Sequence, residues 1–164
     1  MKRNQPSIYL DMNVISVMFY TGADPRIIYQ RLVTKEWWLK ERGHFRLCVS
    51  ELTEAELQKS YFVGQKKSVS LVRRLNYPPM NSAGRDCMAH YVHERLVPDT
   101  KEADAAHLAL ATVHGIGYLM TWNHAHLANV ATQERLRAIN RHLGYETPFL
   151  VSPESLPWAS RGQL

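Results

Sequence analysis

The chain has 164 residues, 45% of them hydrophobic and 21% charged, a balance that gives a globular core and excludes a disordered tract. No apolar run approaches the roughly 20 residues of a membrane-crossing helix, and the basic start leads into a strand-length apolar run, not a secretory signal. Cys48 and Cys87 lack metal-binding spacing, so buried free thiols and a cytoplasmic location are expected.

Ser7 to Leu10 reads as a short apolar strand ended by Asp11, with a helical turn from Val14 to Tyr20. Asp24-Pro25 starts a helix, with Asp as cap and Pro where its missing N–H is not needed; the helix runs to Arg42 and stops at Gly43. Phe45 to Val49 is a second strand, and Ser50 caps the helix after it. Lys66 to Asn76 is a basic amphipathic helix, broken by Tyr77-Pro-Pro-Met80 with a short extended piece. Asn81 to Leu96 is helical, and Asp99 and Glu102 have capping-box spacing for a helix reaching about His114. Tyr118 to Thr121 is the third strand and His124 to Asn129 a turn or short helix. Gln133 to Leu143 is a helix ended by Gly144, and Pro148 to Val151 the last strand. Strands alternating with helices predict one α/β domain over residues 1–164 (core about 7–156), three-layer α/β/α with a mainly parallel sheet.

In an open α/β sheet, polar groups at the carboxyl ends of strands meet in one crevice. Asp11 stands at such an end, either capping the next turn or facing the crevice, while Asn13 is expected to tie the strand-to-helix corner. Of the three glutamates after Ser50, Glu51 and Glu54 suit the first turn of the helix, where acids favour its dipole. Glu56, at about 100° per residue, falls within about 40° of Leu52 on the apolar side, where an acid needs a partner or a metal. Asp104 shares a face with Leu108 and Ala111; His107 could make a local contact with it. Three inward acids from separate segments predict a hard divalent cation, Mg²⁺ or Mn²⁺.

Asn123 ends the third strand beside the same crevice, with Thr121 offering a hydroxyl and Trp122 expected to pack. His124 and His126 lack the further ligands of a zinc site. Trp37-Trp38 reads as one buried and one partly exposed ring, or as a dimer contact. The net charge of +5 and isoelectric point near 9.3 permit a polyanionic partner, though the spread of lysines and arginines equally suits solvated helix faces.

Taken together, these segments resemble the PIN-domain family, and within it the ribonuclease toxins of VapC type. Ile8 to Ser16 is similar to the family's opening strand and Asp-x-Asn, with Met12 in place of the usual Thr. Val49-Ser50 through Glu56-Leu57 resembles the second motif, with Ser six residues before the acid, and Asp104 through Ala111 resembles the third. Thr121-Trp-Asn123 before His126-Leu-Ala-Asn129 is similar to one subgroup, and Phe149 to Pro153 to the closing strand. The resemblance implies Mg²⁺- or Mn²⁺-dependent cleavage of single-stranded RNA, with Asp11, Glu56 and Asp104 as metal ligands and Asn123 beside them. It also implies a homodimer and a cognate antitoxin. Many members carry a fourth acid where this chain has Asn123, so a non-cleaving module that binds RNA or protein is the alternative expectation.

Overall fold

Each strand is only three or four residues long, and Asp11 and Thr121 stand just beyond the carboxyl ends of two neighbouring strands. The computed structural model describes residues 5–156. In chain order it contains β1 (Ser7–Leu10), α1 (Met12–Val17), α2 (Pro25–Lys40), β2 (Arg46–Cys48), α3 (Glu51–Lys59) and α4 (Gln65–Val72). There follow α5 (Ser82–His93), α6 (Glu102–Val113), β3 (Tyr118–Met120), α7 (Val130–Leu143) and β4 (Phe149–Val151). All four strands pair in parallel in the order β2-β1-β3-β4.

Alternation along the strands divides the core in two. Ile8, Leu10 and Met120 face one side, where Val14 and Ile15 of α1, Trp37 of α2, Leu57 of α3 and Val72 of α4 pack against them. Tyr9 and Leu119 face the other, against Cys87 and Tyr91 of α5, Leu108 of α6 and Leu136 of α7. This is the three-layer α/β/α arrangement expected, with helices covering both faces of a parallel sheet. Trp37 is buried and Trp38 half-buried, and their rings meet edge-on. Both cysteines are buried and unpaired, and burial pushes both thiols up. Among the described residues no helix is long and apolar enough to cross a membrane.

Several boundaries depart from expectation: α1 spans Met12–Val17 and not Val14 to Tyr20, and α5 stops at His93, short of Leu96. Helix α2 ends at Lys40, and Gly43 sits inside a 3₁₀ turn over Arg42–His44 instead of ending the helix. The basic helix stops at Val72, and Asn76, not the Pro-Pro stretch after it, supplies the extended piece: it bridges Cys48 and receives the Val49 N–H on its carbonyl at 2.9 Å. The capping box at Asp99 does not form. Pro98 turns the chain, its carbonyl takes the Lys101 N–H at 2.8 Å, and α6 starts with no side-chain cap. Helix α7 begins three residues early because Asn129 caps it, accepting from Thr132 N at 2.9 Å.

Candidate metal centre

The chain passes from β1 to β2 on one side and then crosses to β3 on the other, so strand order reverses at β1 and a crevice opens there between the β1 and β3 ends. Asp11 and Thr121 are the first residues beyond those ends. Register brings them together: Asp11 N donates to Met120 O at 3.0 Å, and Thr121 Oγ1 donates to Asp11 Oδ2 at 2.6 Å. Asn13 braces the pair. Its Nδ2 donates to Asp11 Oδ2 at 2.8 Å, and its Oδ1 accepts from Trp122 N at 2.9 Å. Asp11 is therefore both cap and crevice acid, since Oδ1 also takes the Met12 N–H that opens α1.

From α3, one turn after the buried Thr53 and beside the buried Leu57, Glu56 reaches the same point. From α6 comes His107, a residue expected only to pair with Asp104. Its Nε2 lies 3.0 Å from Glu56 Oε2 and 3.9 Å from Asp11 Oδ1. Its Nδ1 lies 2.6 Å from the Tyr9 hydroxyl, which in turn lies 2.6 Å from Ser50 Oγ and 3.2 Å from Thr53 Oγ1. One donor atom each from Asp11, Glu56 and His107 falls within 4.8 Å of the others. Burial falls from 1% side-chain exposure at His107 and 8% at Asp11 to 25% at Glu56, so the cluster opens to solvent on the Glu56 side.

Asp104 is not a member of that triad. It stands half-buried beside it, accepting a hydrogen bond on Oδ2 from Asn123 Nδ2 at 3.2 Å. Asn123 Oδ1 accepts from His126 N at 3.1 Å, which fixes the amide with its NH₂ toward Asp104. Burial raises the Asp104 carboxyl above the usual range and the charge of Asp11 adds to this, while His107, Lys101 and His126 pull it back. At His107 burial favours the neutral ring but is outweighed by the Tyr9 oxygen, the Glu56 hydrogen bond and the charges of Asp11 and Glu56, so the ring titrates well above a free histidine.

The other candidates have structural places. Glu54 holds Arg73 at 2.7 Å and accepts from Tyr77 at 3.0 Å, and Glu51 is exposed. Trp122 packs, donating Nε1 to Thr34 Oγ1 at 2.9 Å. The exposed His124 lies 3.5 Å from the Glu154 carboxylate.

Asp11, Glu56 and His107 could together hold a metal ion, and the Asp104 carboxylate stands close enough to feel the charges of Asp11 and His107. His107 was the member hidden in the sequence. The signal available was a histidine inside Asp104-Ala-Ala-His-Leu-Ala-Leu-Ala, where every other side chain after the acid is apolar. The chain matches no protein-family model and no curated protein.

Proposed function

We propose that this protein is a metal-dependent endoribonuclease of PIN type acting on single-stranded RNA, and the toxin of a toxin-antitoxin pair. The observation that carries the reading is the meeting of Asp11 and Glu56 with His107 at the switch point of the parallel sheet, with Asp104 beside them. When bound, Mg²⁺ or Mn²⁺ supplies positive charge for the phosphate in the transition state and acidifies the attacking water. Asp11, Glu56 and Asp104 would hold it. His107 aims the Glu56 carboxylate, and Tyr9, fixed by Ser50, aims His107. Asn123 holds Asp104 and adds no charge. A homodimer and a cognate antitoxin belong to the same reading and follow from the resemblance alone.

The test is cleavage of a mixed-sequence single-stranded RNA with Mg²⁺ or Mn²⁺, against EDTA and Asp11→Ala. Cutting that disappears in both controls is the expected outcome. A second reading, a PIN-like binding module without catalysis, is favoured by the Asn123 amide donating to Asp104 where an acid would add a ligand. Folded, partner-free protein that never cuts would support that module and overturn the nuclease.

A further inference from the structure

Among the described residues, three helices end with the same backbone device. After α6, Gly115 has φ of 60°, its N–H bonds the Thr112 carbonyl, and the next N–H bonds the Ala111 carbonyl. After α7, Gly144 has φ of 80° and the same pair of bonds runs to Arg141 and Asn140. After α5 the bonds recur, from Arg95 N to Val92 O at 3.0 Å and from Leu96 N to Tyr91 O at 2.9 Å, but the residue with positive φ, 51°, is Arg95. Glycine meets no steric penalty in this left-handed position and any side chain does, so an arginine there works against the local backbone.

Arg95, an exposed residue, lines a cavity of about 420 Å³. Arg95, Arg135, His126 and Asp99 supply its charged or titratable lining, and Val97 and Ala125 are among its apolar wall. Arg135 braces it, with Nη2 donating to the Glu94 and Arg95 carbonyls at 2.8 and 2.7 Å. The opposite wall is pinned by Thr132 Oγ1, which donates to His126 O at 2.9 Å. Among the described residues the Arg95 guanidinium has no hydrogen bond or ion pair, nor has the Asp99 carboxylate, so two arginines face one acid with no internal neutralisation. The cavity joins the metal centre through His126, whose N–H is held by Asn123, which holds Asp104.

We infer that this cavity is a subsite for a nucleotide unit of a single-stranded RNA, with Arg95 binding a backbone phosphate next to the acidic centre. Its size lies in the range of about 300–1,000 Å³ typical of ligand sites, and its apolar wall suits a base or ribose face. The inference rests on the RNA reading above but not on catalysis.

The test is binding of a labelled mixed-sequence 12-mer oligoribonucleotide in EDTA over a salt series, with melting curves, for wild type, Arg95→Gly, Arg95→Asn and Arg95→Lys. Loss of one phosphate contact on a single strand lowers the salt slope by about 0.7. Arg95→Gly and Arg95→Asn should bind about three- to tenfold more weakly with that shallower slope, and Arg95→Lys should retain most of it. The melting temperature of Arg95→Gly should stay level or rise by up to about 4 °C. Unchanged affinity and slope in Arg95→Gly, with metal-dependent cutting by wild type, would overturn the subsite and leave the nuclease. Weakened binding in Arg95→Gly, with no cutting by wild type, would support the subsite and overturn the nuclease. A large fall in melting temperature in both the Gly and Asn variants would assign Arg95 to the fold and overturn the subsite, and wild type that binds no RNA at low salt would overturn both.

Discussion

Replacing Tyr9 by phenylalanine deletes one oxygen and, with it, contacts to Ser50, Thr53 and His107, all at buried positions. The ring stays, so packing against the α6 side of the sheet is retained. Ser50 keeps the Thr53 N–H at 3.3 Å and can turn to the Thr53 hydroxyl at 3.5 Å, so it loses little. His107 Nδ1 has no such substitute and becomes an unpaired polar atom in a site 1% exposed. A lost net hydrogen bond is worth about 1 kcal/mol and a stranded buried group about 1–3 kcal/mol, which together place the change at about 2–4 kcal/mol. For a chain of this size that is a fall in melting temperature of about 4–16 °C. Urea denaturation followed by circular dichroism measures it, with an unchanged m-value showing that the native state and not its compactness has altered. A double-mutant cycle with Ser50→Ala should be non-additive, because both changes cut the same relay. A loss under about 1 kcal/mol would refute the reasoning, since His107 would then need no partner at Nδ1.

Asp104→Asn should stabilise the metal-free protein while abolishing metal-dependent cutting. The folded-state carboxyl is raised, so its stabilising proton is fully bound below the ordinary aspartate value of about 3.9 and is lost as pH rises through the raised one. Wild type should therefore fall behind the variant in urea midpoint as pH climbs through that window, and equal midpoints at all pH values would count against an uncompensated charge. Thr34→Val strands the Trp122 Nε1–H, which it accepts at 2.9 Å from inside the core, and should cost about 1–3 kcal/mol in urea denaturation; a neutral result would mean that another acceptor takes over.

The strands, and the polar residues that end two of them, were legible because they depend on near neighbours in sequence. An apolar run closed by Asp11, and another closed by Thr121, declare the edge of a parallel sheet without knowledge of what lies beside it. Glu56 was legible by helical geometry, one turn from residues that must be buried. His107 was not, because α6 is buried from Ala105 through Thr112, and a helix apolar on all sides gives no phase to say where one polar residue points. Its partners Tyr9 and Glu56 lie 98 and 51 residues away, beyond the reach of any local pattern. Asn76 escaped for a simpler reason: a single bridging residue has no alternation to reveal it. The false cap at Asp99 shows a local rule overridden by its neighbour, Pro98.

That enclosure of α6 has a consequence for how such a protein can diversify. Ala105, Ala109 and Ala111 leave no exposed surface, and a larger side chain at any of them would have to displace the sheet or a neighbouring helix. The helix that presents Asp104 and His107 is thus held to a narrow range of sequences by its neighbours, whatever the demands of chemistry. Freedom to retune the centre lies instead in the rim, at Lys101, Asn123 and His126, where a changed side chain alters the charge around Asp104 and leaves the scaffold in place.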